Sequence, residues 1–191
     1  MNYPLSLLSS LVAGLLLASC TTSSTVVKET YAGVLPEVRA PKSITYGGES
    51  YHVGYSAITT SGVFVEYFRK GQGPRSWTKL ISLRTTRPPS TPSNEAGLLL
   101  KLAKSTGGSG ALLENKNSGE CIADFMLPKS GNLEFNLVRY APQTGTGGTK
   151  SLQYAEMIPH SKCDKKNLLS LRESNLKRIA AIKIPDVGNA N

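Results

Sequence analysis

The sequence predicts an α+β domain: an antiparallel β-sheet with two helices packed on one face, preceded by a signal peptide and a flexible tether. Three observations carry that expectation. Between residues 44 and 158, apolar and β-branched residues alternate in short runs bounded by Gly, Pro, Asn and Ser, the period-two pattern of strands. Two other segments, near 94–104 and 164–182, space their leucines at three and four residues, the period of a helix. The links between strand segments are short, so neighbours join as antiparallel hairpins rather than parallel crossovers.

The chain has 191 residues, with 22 Lys and Arg against 13 Asp and Glu, a formal net charge of +9. That length suits one domain with appendages. With 39% hydrophobic and 18% charged residues, the composition excludes a collagen-like repeat, a fully disordered chain and a multi-span membrane protein.

Residues 1–19 carry no charged side chain, and Leu5 to Ala18 is apolar except for Ser6, Ser9 and Ser10. This is shorter than the ~20 apolar residues of a membrane span and matches the apolar region of a secretory signal. It ends Leu17-Ala18-Ser19-Cys20, with small residues before the cysteine. That ending resembles the lipobox of bacterial lipoproteins. The resemblance implies that the Cys20 thiol receives a diacylglycerol, that the chain is cut before Cys20, and that the new amine is acylated. Thr21, where Asp would imply retention, implies transfer to the outer membrane, facing the periplasm. The lack of Lys or Arg before the apolar run departs from the family pattern. Several acyl chains, each buried methylene contributing about 0.8 kcal/mol, would hold the protein on a membrane essentially permanently.

Four regions follow: 1–19, a lipoprotein signal peptide; 20–43, the lipidated Cys20 and a Thr/Ser-rich tether with Pro36 and Pro41; 44–184, a single α+β domain; 185–191, a polar C-terminal tail. Within the domain, Ile44–Tyr46 and Tyr51–Ile58 read as strands around Gly47-Gly48. Val63–Arg69 and Trp77–Arg84 follow across a Gly71–Pro74 turn, with Trp77, Ile81 and Leu83 on one face with Lys79. A proline-rich break at 87–93 precedes a helix over Asn94–Lys104, capped by Thr91 or Ser93, with Leu98, Leu99 and Leu102 as its buried stripe. Ala111–Glu114 and Glu120–Leu127 form a hairpin, with Cys121, Ala123, Phe125 and Leu127 pointing one way. In Asn132–Tyr140, Leu133, Phe135 and Leu137 oppose Glu134 and Asn136. In Lys150–Ile158, Leu152, Tyr154 and Ile158 oppose Gln153 and Ala155. Ser161 to Asp164 has the spacing of a capping box and opens the second helix, with Leu168, Leu171, Leu176 and Ile179 near one stripe.

Once Cys20 is lipidated, Cys121 and Cys163 remain. An oxidising compartment favours joining them as a disulfide, which would stabilise by ~3–5 kcal/mol in the chain-entropy model. No metal site is expected, because neither cysteine has a second Cys or His at ligand spacing beyond the weak His160/Cys163 pair. No catalytic residue is assigned and no cofactor is expected. The Gly107–Ala111 run lacks the final glycine of a nucleophile elbow. Gly145–Ser151 has Thr149 where a phosphate loop needs glycine, and it lies between strands rather than opening a helix. His52 and His160 are the only imidazoles. Glu66, Glu120, Asp124, Glu134 and Glu156 lie on strands, where they are expected to pair with Arg69, Arg84 and Arg139.

Charge is the more informative signal. Residues 69–104 hold eight basic side chains and one acid, and residues 162–183 hold seven basic and two acidic. Such fields attract anionic surfaces. Arg69, Lys70, Arg75, Lys79, Arg84 and Arg87 are the candidate residues for an anionic partner: a membrane, a glycan, a lipid or an envelope protein. Nucleic acid is disfavoured by compartment and by the 7% aromatic content.

Glu66-Tyr67-Phe68 with Gly71, then Trp77–Leu83, Leu137–Tyr140 and Gln153-Tyr154-Ala155, resemble the strand pattern of a group of small secreted bacterial proteins of unknown function, over residues 62–160. The resemblance implies no activity. The element order is also similar to the Mog1/PsbP-like α+β fold, whose lipoprotein members are binding or accessory proteins. The expected function is therefore that of a lipid-anchored cell-envelope protein acting as a non-catalytic binding or accessory module. The alternatives are an envelope hydrolase acting on cell-wall or lipid substrates and a protective immunity or exclusion lipoprotein.

Overall fold

The structure, a computed structural model, describes residues 25–145 and 147–190. Cys20 and the expected signal segment lie outside the described residues. The chain forms β1 (Val26–Thr30), β2 (Val38–Arg39), β3 (Ser43–Tyr46), β4 (Glu49–Thr59), β5 (Gly62–Phe68), β6 (Lys79–Thr86), α1 (Pro92–Ser105), β7 (Ser109–Asn115), β8 (Glu120–Lys129), β9 (Asn132–Pro142), β10 (Thr149–Pro159), α2 (Lys165–Ala181) and β11 (Gly188–Asn189). Nine strands make one antiparallel sheet in the order β1-β4-β5-β6-β10-β9-β8-β7, with β3 pairing the first half of β4 beside β1. After β6 the chain crosses through α1 to the far edge and returns by the β7-β8-β9-β10 meander, so β10 closes against β6.

The α+β architecture matches expectation, but the helices do not share a face. Strand alternation sends Val63, Val65, Tyr67, Ile81, Leu83, Phe135, Leu137, Leu152 and Tyr154 to one side, against Ile179 of α2. It sends Phe64, Phe68, Leu80, Ala123, Phe125, Val138 and Ala155 to the other, against Ala96, Leu99, Leu100 and Ala103 of α1. A sheet with only one covered face would leave its second row in water. Here both rows are apolar enough to need a helix. The stripe of α1 accordingly runs through residues 96, 99, 100 and 103, rather than 98, 99 and 102. Trp77 precedes β6 and packs with the α1-side cluster, away from Ile81 and Leu83.

Local signals set the helix ends. Thr91 caps α1, its Oγ1 accepting from Asn94 N at 3.3 Å, with Pro92 in the first turn. No Ser161 capping box opens α2. A short 3₁₀ turn occupies His160–Lys162, and Asp164 is the cap, accepting from Asn167 N at 2.9 Å. Tyr46 donates to Asn175 O of α2 at 3.2 Å and stacks on Tyr154, ring centroids 4.8 Å apart.

Two segments expected to be loose belong to the fold. From Val26 onward the tether region supplies β1, paired to β4, and β2. The C-terminal tail supplies β11, paired to β2, and buries Val187. No helix among the described residues is long and apolar enough to cross a membrane.

Candidate functional site

The six basic candidates do not form one surface. Arg69 Nε lies 3.6 Å from Glu49, and Lys79 Nζ lies 3.3 Å from Glu49 and 3.9 Å from Glu156. Both cations are thus neutralised locally, in a cap where Tyr51 and Tyr154 donate to the same two carboxylates. Residues an odd number apart on a strand face opposite ways, so Lys79 and Arg84 lie on different faces of β6, and Arg84 is buried. Lys70 and Arg75 are exposed in the β5–β6 loop, and Arg87 is exposed just beyond β6.

The expected disulfide is absent. Both Cys121 and Cys163 are free thiols. Cys121 points from β8 into the α1-side core, whereas Cys163 packs against the α2-side core. The sheet separates them. Burial pushes the Cys121 thiol up to about 11, with Glu114 adding to the effect. Cys163 Sγ is turned to Pro159 O at 3.4 Å. His52 and His160 are exposed. No cluster of three His, Cys, Asp or Glu that could hold a metal occurs among the described residues.

The expected cross-strand pairs are formed in part. Arg139 Nη2 binds Glu120 at 2.8 Å, Lys129 Nζ lies 3.6 Å from Glu134, and Asp124 pairs with Arg172 of α2. Glu66 has no hydrogen bond or ion pair among the described residues, although only 3% of it is exposed. Desolvation pushes its carboxyl up to about 7. It stands in register with Tyr55 on β4 and Ser82 on β6. From Ser82 a buried polar row crosses the sheet. Ser82 Oγ donates to Gln153 Oε1 at 2.9 Å, Gln153 Nε2 to Asn136 Oδ1 at 2.7 Å, and Asn136 Nδ2 to Glu134 Oε1 at 3.0 Å. Sequence alternation placed Glu134, Asn136 and Gln153 opposite the apolar residues of their strands. The α1-side cover turns that face into interior.

A second concave feature lies where the C-terminal segment meets the sheet. A cavity of about 220 Å³ is lined by Gly62, Thr85, Arg87 and Gly188, among others. A neighbouring one of about 240 Å³ is lined by Arg39, Lys150 and Asp186. Thr85 and Gln143 wall both. Gly62 lets the walls approach, since a Cβ there would sit 1.8 Å from Thr85 O. Lys150 Nζ donates to Asp186 at 3.2 Å. That hydrogen bond and charge hold the Asp186 carboxyl below its ordinary range, with Lys183 and Arg39 adding to the effect. Of this cleft, sequence reading had only Arg87. Arg39 and Asp186 lay in segments read as tether and tail. The apolar spacing of Ile184 and Val187 around Asp186 was the available sign that the tail is anchored.

Residues 38–184 match the model of an uncharacterised bacterial protein family. No curated protein matches the sequence.

Proposed function

The chain belongs to that uncharacterised bacterial family, and from its own residues we propose a lipid-anchored cell-envelope protein, held at the outer membrane facing the periplasm, that acts as a binding or accessory module. The single observation that carries this reading is Leu17-Ala18-Ser19-Cys20 at the end of a charge-free apolar segment. Cys20 stands six residues before β1, so a lipid there would hold the sheet domain close to the bilayer. The net charge of +9 favours an anionic partner. Growth with an alkyne palmitate analogue tests the anchor. Label on the wild type and none on Cys20→Ala supports it; an unlabelled wild type removes it. Crosslinking from native membranes tests the module: a discrete partner lost with Cys20→Ala identifies an accessory subunit placed by its lipid.

A further inference from the structure

We propose that the cleft between β2, the start of β10 and the C-terminal segment binds a phosphate monoester or diester, with Arg39, Arg87 and Lys150 as its charged contacts and Asp186 as a displaceable internal counter-ion. This site deepens, and rests on, the reading of the domain as a binding module for an anionic partner. Three cations and one acid line the two adjoining cavities. Neither the Arg39 nor the Arg87 guanidinium has a hydrogen-bond or ion-pair partner among the described residues, whereas Lys150 is held by Asp186. Asp186 feels Lys150, Lys183 and Arg39 together, so a single carboxylate stands among cations it cannot all satisfy. Neutral donors converge on the same space. The Thr85 hydroxyl accepts from Val63 N at 3.3 Å, which leaves its own proton to donate. The Gln143 side chain walls both cavities, its backbone fixed by donation to Gly148 O at 2.8 Å.

The chemistry selects the ligand. A carboxylate offers two oxygens in one plane and one charge, which Asp186 already supplies to Lys150. A phosphoryl group offers up to three terminal oxygens and one to two charges, which suits several cations arriving from different strands. Two adjoining cavities also leave room for the group to which the phosphate is esterified. Exchange of Asp186 for phosphate would release the anchored tail residues 185–189 from their ion pair while β11 still holds them to β2. Phosphate esters of two sources meet this description, a phospholipid head group and a small soluble metabolite.

The test uses the full chain with Cys20→Ala, kept unlipidated in maltoside micelles. It is titrated calorimetrically with inorganic phosphate, glycerol 3-phosphate and a short-chain phosphatidylglycerol below its own micelle concentration. Saturable binding is expected, weakened about tenfold by Arg39→Ala or Arg87→Ala. Asp186→Asn, which lies on the surface and leaves the core intact, is expected to tighten binding several-fold by removing the competing charge. Phosphatidylglycerol binding at least as tightly as glycerol 3-phosphate assigns a lipid head group; preference for the two soluble ligands assigns a free phosphate compound. Absence of binding by all three overturns the site. So does binding indifferent to both arginine substitutions and to Asp186→Asn. Palmitate labelling does not involve these residues, so loss of the cleft and loss of the envelope reading are separate results.

Discussion

Gln153 on β10 donates to Asn136 on β9 at 2.7 Å, and this amide pair is the middle of a buried relay from Ser82 to Glu134. Each amide is both donor and acceptor, so removing one strands groups on two neighbours. Asn136→Leu leaves Gln153 Nε2 and Glu134 Oε1 without partners and is expected to cost about 2–4 kcal/mol in urea unfolding. The double variant Asn136→Leu, Gln153→Leu removes both amides and should cost less than the sum of the singles, by at least about 1 kcal/mol. Strict additivity would show that the amides act independently.

Glu66 makes stability fall as pH rises. Its folded carboxyl is raised from 4.5 to about 7 by desolvation. The unfolded chain therefore loses this proton first, and between those values the folded state binds more protons. Stability from this group is complete below about pH 4.5, declines to about pH 7 and is level above, a change of about 3 kcal/mol. Glu134 is raised in the same direction by its burial. Asp186, Glu37 and Glu49 are lowered and act in the opposite sense at more acid pH. The difference between wild type and Glu66→Gln isolates the one group. Glu66→Gln should be the more stable protein at pH 8 and lose that advantage at pH 4.5. A pH-independent difference would mean that Glu66 is ionised in the fold.

The two thiols should react in order. Cys163 is partly exposed and lies after the 3₁₀ turn, while Cys121 is buried under α1 and its thiol is pushed up to about 11. Iodoacetamide at pH 8, read by peptide mass, is expected to modify Cys163 in the native protein and Cys121 only after unfolding. Oxidant should leave the monomer without an internal crosslink. A Cys121–Cys163 peptide pair recovered from native protein would contradict the placement of these residues on opposite faces.

The strands of the sheet's centre were legible because alternation is a local signal. Leu133, Phe135 and Leu137 on β9, and Leu152, Tyr154 and Ile158 on β10, share the face that their spacing assigned. Where Glu134, Asn136 and Gln153 point was legible too, but not that their side is interior. Coverage by α1 is a long-range fact, and polar residues that satisfy one another across strands look the same in sequence as residues that satisfy water. β1, β2 and β11 were missed for a related reason. Val26–Thr30 is short and mostly exposed, and Gly188–Asn189 is two residues long. Such strands exist through their pairing partners rather than their own propensity. Both helices were found, and the α2 stripe of Leu168, Leu171, Leu176 and Ile179 is the one that packs on the core; the α1 face was missed because leucines at 98, 99, 100 and 102 fit two stripes equally well. The six basic candidates are close in sequence but dispersed in the fold, because linear density of charge ignores strand parity and the carboxylates Glu49 and Glu156 that the fold brings to Lys79.

Arg139 ties the end of α2 to the sheet, and its loss should unravel that end. Nη1 donates to the carbonyls of Ile179, Ala180 and Ile182 at 3.1, 2.9 and 2.7 Å, while Nε and Nη2 hold Glu120 at 3.2 and 2.8 Å. The last carbonyls of a helix have no partner within it, and a cation there also meets the negative end of the dipole. Elsewhere α2 is held by the buried Asn175 and Ile179, by the partly buried Leu168, Leu171 and Leu176, and by the Arg172–Asp124 pair. Arg139→Met keeps the aliphatic stem and removes all five hydrogen bonds, to Glu120 and to the end of α2. It is expected to cost about 2–4 kcal/mol and to speed amide hydrogen exchange from about residue 176 to 182, with the β9 and β10 amides protected as before. Arg139→Lys should restore little, because one ammonium cannot span the carbonyls and Glu120 together. Glu120→Gln separates the two halves of the contact: exchange at the end of α2 should stay slow, since the carbonyl bonds remain. Unchanged exchange in Arg139→Met would show that Ile179 burial alone fixes the helix, and the guanidinium contact would then be incidental to its placement.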